Sequence, residues 1–294
     1  LDGTYGRLAA RQRVTVERVA ELWRVERGHK AGWPAVRGHL ARAVDHFGGQ
    51  LDVMRLGRAE VATWRRSLAE AGLSASTRNR HVASLRAALS LAMDHDLIEA
   101  NPLRRIKMEA EPPPPDRVAS PAEVAQLLEA GTARDALVVV WAIESGARCG
   151  EMAAARWADI DLMAGEWRIP RSKSGHPRTV PLTPRAVGAL ERWKADPVTV
   201  THRDRKPVRI HGHPIVLGGV TPSGLSSAFA AHCRRAGVEG LRLHDLRHTC
   251  ATEMRRRGVH SVTIAAMLGH RSWQMVQRYQ HVTQDDLRLA INAG

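Results

Sequence analysis

Only two tyrosines occur in the 294 residues, and one of them, Tyr279, lies nine residues beyond the tripeptide Leu268-Gly269-His270. Upstream stands His244-Asp245-Leu246-Arg247-His248, and near mid-chain Glu144-Ser145-Gly146-Ala147-Arg148-Cys149-Gly150-Glu151. In chain order these segments supply two arginines, two histidines and a nucleophilic hydroxyl. Transesterification at a phosphodiester needs such a set: a nucleophile, an acceptor for its proton, cations around the non-bridging oxygens and a proton donor for the leaving oxygen. A phosphotyrosine product would keep the bond energy, so a strand could be rejoined without ATP. The chain has no Walker motif and no clear carboxylate cluster for two-metal catalysis.

Each segment has a plainer reading beside the chemical one. Arg148 follows a glycine turn at the start of a helix, where its planar, permanently charged fork suits phosphate. A loop arginine is usually solvated, but the apolar run Ala136–Ile143 points to a buried helix feeding this turn. His244 and Arg247, three apart, share a helical face, as would any surface His/Arg pair, and His248 points elsewhere as a structural residue. His270 would serve equally as a C-cap histidine favoured by the helix dipole, and a lone exposed tyrosine is ordinarily an amphipathic surface residue.

Taken together, in this order and spacing, the segments resemble the catalytic signature of the tyrosine recombinases, the phage-type integrases. Leu243-His244-Asp245-Leu246-Arg247-His248-Thr249-Cys250-Ala251-Thr252 is far longer than a bare HxxR and is similar to the family's second box. The resemblance implies Arg148 and Arg247 as phosphate clamps, with Glu151 as a supporting partner of Arg148. It implies His244 as general acid/base near the tyrosine, His270 as a phosphate ligand and Tyr279 as nucleophile. Lys173, in Arg171-Ser172-Lys173-Ser174-Gly175, is the only lysine within twenty residues on either side; a loop lysine is normally solvated, but the family places one here to protonate the leaving 5′ oxygen. The departures are Ala147, where a bulkier apolar residue is common, and Arg271, where a small one is usual.

These groups need a scaffold. Glu111-Pro112-Pro113-Pro114-Pro115-Asp116 cannot continue a helix and favours an extended spacer. It divides the chain into an N-terminal extension (1–13), a helical domain (14–110), a proline-rich linker (111–119) and a catalytic domain (120–294). Ser120-Pro121-Ala122-Glu123 reads as N-cap, N1 proline and N3 glutamate, so a new helix begins there. The first domain carries four helical patterns: Thr15 to about Lys30, Pro34 to Gly48, Arg58–Ala71, and one from Ser76 or Thr77 through Ala92. That last helix presents Thr77, Arg78 and Arg80 on its outer face, as a solvated helix start or as DNA-groove contacts. In the second domain, helices are predicted over Glu123–Ala130, Ala136–Ser145, Cys149–Trp157, Ser223–Ala236, Leu246–Arg257, Ser261–Leu268 and Trp273–Tyr279. Two strands, Glu166–Pro170 and Arg178–Leu182, flank a turn at Ser174-Gly175, and residues 196–216 read as a loop or ragged hairpin. The fold class is mainly α with a small β-sheet, and the resemblance implies a C-shaped clamp of helical and catalytic lobes.

The formal charge is +14, with 19 Lys/Arg against 12 Asp/Glu in residues 1–110 and 25 against 18 in residues 111–294. Each part is therefore +7. Five of the 44 basic residues are lysine; compositional bias would explain that preference for arginine, but not the excess over acids, which argues for a polyanionic partner on both lobes. Three scattered cysteines suggest a reducing, cytoplasmic setting, and no apolar run is long enough for a membrane span. His211-Gly212-His213 lacks a second ligand pair at finger-like spacing, so neither zinc nor any other cofactor is expected. About thirteen residues precede the first helix, so no separate arm-binding domain is expected. The resemblance implies double-stranded DNA as substrate, a homo-tetrameric synapse, and a role for accessory bending or directionality factors in some members. The rivals are a type IB topoisomerase, which uses the same chemistry as a monomer, and a DNA-binding protein that has lost catalysis.

Overall fold

The computed structural model describes residues 13–30, 32–112, 117–170, 177–195, 199–200, 208–209 and 212–269. The chain forms two compact units that divide between Pro114 and Pro115.

In the first unit, α1 (Val16–Arg27), α2 (Trp33–Phe47), α3 (Arg58–Glu70) and α4 (Ala75–Asp94) surround one core. Thr15 caps α1 and Ser74 caps α4, each hydroxyl accepting a backbone N–H of the first turn. The α4 start thus lies one to two residues before the expected Ser76 or Thr77. Val82, Leu85, Leu89 and Ala92 then fall on one stripe, fully buried against Trp64, Val19 and Ala43.

The second unit begins with α5 (Pro121–Glu129), where Ser120 and Glu123 form the predicted capping box. The following α6 (Ala133–Ser145) starts three residues earlier than expected, because Thr132 and Asp135 build a second capping box. Next come α7 (Cys149–Ala154), β1 (Ile160–Asp161), β2 (Glu166–Ile169) and β3 (Arg178–Pro181). The strands form an antiparallel sheet in the order β1-β2-β3, with Trp167 opposite Val180 and Ile169 opposite Arg178.

After the sheet comes α8 (Pro184–Ala195), a helix not anticipated from periodicity. The signal was present: Thr183 Oγ1 accepts the Ala186 N–H, a proline opens the helix, and Ala186, Ala189, Leu190 and Trp193 form its buried stripe. The expected ragged hairpin is a short pairing of β4 (Thr199–Val200) with β5 (Val208–Arg209). The last described helices are α9 (Pro222–Arg235), α10 (Leu243–Arg256) and α11 (Ser261–Leu268). Of these, α10 starts three residues earlier than expected, since Asp245 accepts the Arg242 backbone N–H as an N3 acid. The predicted helix at Trp273–Tyr279 lies outside the described residues. Apolar α6 is buried at the centre, with Trp141 against Trp167 of β2 at 4.6 Å between ring centroids.

Candidate active site

Gly146 ends α6 in the left-handed conformation, with φ 59°. A Cβ there would stand 2.3 Å from Leu268 Cδ2 and 3.1 Å from Cys250 Sγ, so a glycine lets this turn pack directly on α10 and α11. The chain then becomes extended at Arg148, the residue that caps α7.

Glu151, one turn into α7, organises the arginines around it. Its side chain is only 4% exposed. It accepts the Arg148 backbone N–H (2.9 Å), the Arg148 guanidinium (3.0 Å) and both terminal nitrogens of Arg178 (2.9 and 2.7 Å). Burial works against its charge, but the hydrogen bonds from Arg178 and from the Arg148 backbone outweigh it, and the carboxyl sits below its ordinary range.

Three arginines from three elements converge on the end of α11. Arg178 Nε donates to the carbonyl of Met267 (3.0 Å), Arg247 Nη2 to Leu268 (2.6 Å) and Arg148 Nη2 to Gly269 (3.0 Å). The last carbonyls of a helix have no intrahelical partner and form its negative end, so cations are stabilised there. Arg247 is 2% exposed, and its other terminal nitrogen donates to the Gly146 carbonyl at 2.5 Å. Arg247 therefore ties the turn before Arg148 to the end of α11.

His244, one turn before Arg247 on α10, lines a cavity of about 630 Å³ together with Arg148, Glu151, Trp167, Ile169 and Pro170. The residue is exposed to solvent, yet partial desolvation against the cavity wall, then the neighbouring His248 and Arg247, depress the imidazole pKa to about 4. His248 is not directed elsewhere, as the helix pattern suggested: its ring packs edge-on against His244 with centroids 5.1 Å apart, because residues four apart lie one turn apart on the same face. Cys250 lies on the same helix, and burial pushes its thiol up to about 12.

The structure thus brings together four of the expected residues, Arg148, Glu151, His244 and Arg247. Lys173, His270 and Tyr279 lie outside the described residues; Pro170 in the cavity wall comes three residues before Lys173, and Gly269 directly precedes His270. Arg178 was not anticipated. Its signal is an arginine two residues before Val180, on the inward face of a strand, where a cation must be paired. Among the described residues no group of three or more His, Cys, Asp or Glu could hold a metal ion.

On the first unit, the three residues at the start of α4 differ in their surroundings. Thr77 Oγ1 lies 3.1 Å from the capping hydroxyl of Ser74. Arg78 is held by Glu109 through two bonds of 2.9 Å and by the Leu73 carbonyl. Arg80 is exposed.

The model of the phage integrase family matches residues 117–286, more than half of the chain. The chain belongs to that family. It is 35% identical over 153 residues to a shufflon-specific DNA recombinase of Escherichia coli, covering 52% of this chain and 36% of that protein. It is 27% identical over 225 residues to the tyrosine recombinase XerD of Ralstonia nicotianae, covering 73% and 71%. The chain thus spans about a third of the shufflon recombinase and less than three quarters of XerD. Among solved structures, the Tn1549 transposon integrase in complex with circular intermediate DNA shares the fold. Its TM-score is 0.75 at 20% identity, over 95% of this chain and 99% of that one. A lambda integrase dimer bound to a core site gives 0.72 at 17% identity, over 92% and 97%. This integrase fold is mainly helical with one small three-stranded sheet in the second unit.

Proposed function

We propose that the chain is a site-specific DNA recombinase that cuts and rejoins strands through a 3′-phosphotyrosyl intermediate. The observation that carries this reading is the convergence of Arg148 and Arg247 on the end of α11, next to His270, with His244 on the same cavity as Arg148.

Tyr279 is the nucleophile. Its phenolic oxygen attacks phosphorus, and its proton passes to His244, which is neutral above about pH 4 and so able to accept it. Negative charge gathers on the non-bridging oxygens, where Arg148, Arg247 and His270 oppose it. A guanidinium has five N–H donors, so the two bonds that aim Arg148 leave others for a phosphate. Lys173 protonates the departing 5′ oxygen. The products are a 3′-phosphotyrosine and a free 5′ hydroxyl. Attack of a second strand's 5′ hydroxyl on that ester reverses the step, and two rounds pass through a Holliday junction. No metal or nucleotide enters this scheme.

The substrate is double-stranded DNA, contacted by both basic units. Arg80 faces the groove with Thr77 beside it, and Arg78 joins them by exchanging Glu109 for a phosphate. Four protomers make the synapse, and the segment after Tyr279, with Leu287, Ala290 and Ile291 at helical spacing, links one protomer to the next. The three cysteines are free thiols, which fits a cytoplasmic setting.

Nicked duplexes carrying candidate sites from the source replicon provide the test, because loss of a short 5′ fragment traps the intermediate. Covalent adducts at a defined sequence, with joined product when a 5′-hydroxyl strand is supplied, support the reading. Relaxation of supercoils at random sites would mark a topoisomerase instead, and binding without adducts a silent DNA-binding protein.

A further inference from the structure

We propose that Arg178 is a positioning residue for cleavage: it engages the Glu151 carboxylate so that the positive charge of Arg148 stays available to the scissile phosphate. The inference rests on the recombinase reading above.

All three guanidinium nitrogens of Arg178 are engaged by the protein. Nε donates to the Met267 carbonyl, and the two terminal nitrogens form a fork on Glu151 at 2.9 and 2.7 Å. The side chain is 11% exposed, and Gly269 lies so close that a Cβ there would stand 3.2 Å from Arg178 Nη1. Arg178 is therefore built to hold protein groups rather than DNA.

Charge decides what this fork does. Glu151 faces two arginines, Arg148 and Arg178, so the three groups sum to +1. A bidentate fork is the stronger geometry, and Arg178 has it. Arg148 gives the same carboxylate one terminal nitrogen at 3.0 Å and turns another to Gly269. Removal of Arg178 would leave a buried carboxylate with Arg148 as its remaining cation. The ion pair would then tighten, and the charge meant for the phosphate would be neutralised inside the protein.

Placement adds a second effect. Arg178 opens β3 opposite Ile169, at the root of the segment that carries Lys173. Its bond to Met267 fixes the end of α11, directly before His270. One side chain thus sets the starting points of two catalytic segments relative to Arg148.

Arg178→Ala, Glu151→Gln, the double variant and Arg178→Lys, each in the full chain, test this with half-site binding and single-turnover cleavage of a nicked substrate. Arg178→Ala should slow cleavage about 10²-fold, the scale of a misplaced catalytic group, while half-site affinity changes less than about threefold. Adding Glu151→Gln should restore at least about tenfold of that loss, because the neutral amide no longer competes for Arg148. A purely structural role predicts the reverse, with two removals of packing and hydrogen bonds compounding. Arg178→Lys keeps the charge but not the fork, and it should cleave about tenfold slower than wild type with normal binding; it carries the test if the alanine variant does not fold. Wild-type cleavage by Arg178→Ala, or a double variant slower than either single, would overturn the inference while leaving the recombinase reading intact. Absence of adducts with the wild-type protein would overturn both.

Discussion

At His244 the surroundings set the protonation of a residue assigned to the chemistry. With its pKa depressed to about 4 by partial desolvation and by His248 and Arg247, it is neutral throughout the physiological range. A neutral ring can accept the tyrosine proton and a protonated one cannot. The single-turnover cleavage rate should therefore rise with pH through about 4 and stay flat between about pH 5.5 and 7.5. A histidine near its ordinary value would give an inflection near 6.5, and a rate profile bending there would show that His244 is not held as described. The two arginines should separate in another way. Arg148→Ala should lower cleavage on the order of 10²–10³-fold with DNA affinity nearly unchanged, as for loss of a transition-state donor. Arg247→Ala should add a fall in stability, because the carbonyls of Gly146 and Leu268 lose their buried donor, at about 1–3 kcal/mol for each unsatisfied group. Chemical denaturation alongside cleavage assays checks both. The residue types of this site were legible in the sequence, since Arg148, Glu151, His244 and Arg247 come together. Apart from Glu151, their immediate partners were not. The groups that aim the arginines are the carbonyls of Met267, Leu268 and Gly269, and a backbone carbonyl leaves no mark in a sequence.

At the scale of elements, the site depends on α6, α10 and α11 meeting at Gly146. A left-handed glycine facing Leu268 at 2.3 Å from an added Cβ admits no side chain. Gly146→Ala should destabilise the protein by at least about 1–3 kcal/mol through backbone strain alone. It should also slow cleavage, because Arg148 and the end of α11 both move with that turn. Urea unfolding measures the first and single-turnover assays the second; an alanine variant with wild-type stability would show that the contact is not as close as described. Element boundaries were readable where capping chemistry is explicit, as at Ser120-Pro121-Ala122-Glu123. The starts of α6 and α10 were placed three residues late because an aspartate does the work of the usual N3 glutamate. The unanticipated α8 carries both a Thr183-Pro184 start and a complete apolar stripe, so its signal was legible in the sequence all the same.

For the whole molecule, charge is the property that reaches furthest. Each part carries +7 of the +14 total, and affinity for a half-site should fall linearly with the logarithm of salt concentration. With about 6–10 phosphate contacts the loss would be on the order of 10³–10⁵ between 50 and 200 mM. A nearly salt-independent affinity would mean that the basic surfaces do not meet the DNA backbone. The proposed mechanism turns on a single oxygen atom, the phenolic oxygen of Tyr279. Mass mapping of the trapped covalent adduct, after nuclease and protease digestion, locates that atom in wild type and in Tyr279→Phe. Wild type should yield a nucleotide-bearing peptide that contains Tyr279, and the phenylalanine variant should yield no adduct despite normal DNA binding. A nucleotide on any other residue, or an adduct that survives Tyr279→Phe, would contradict the assignment.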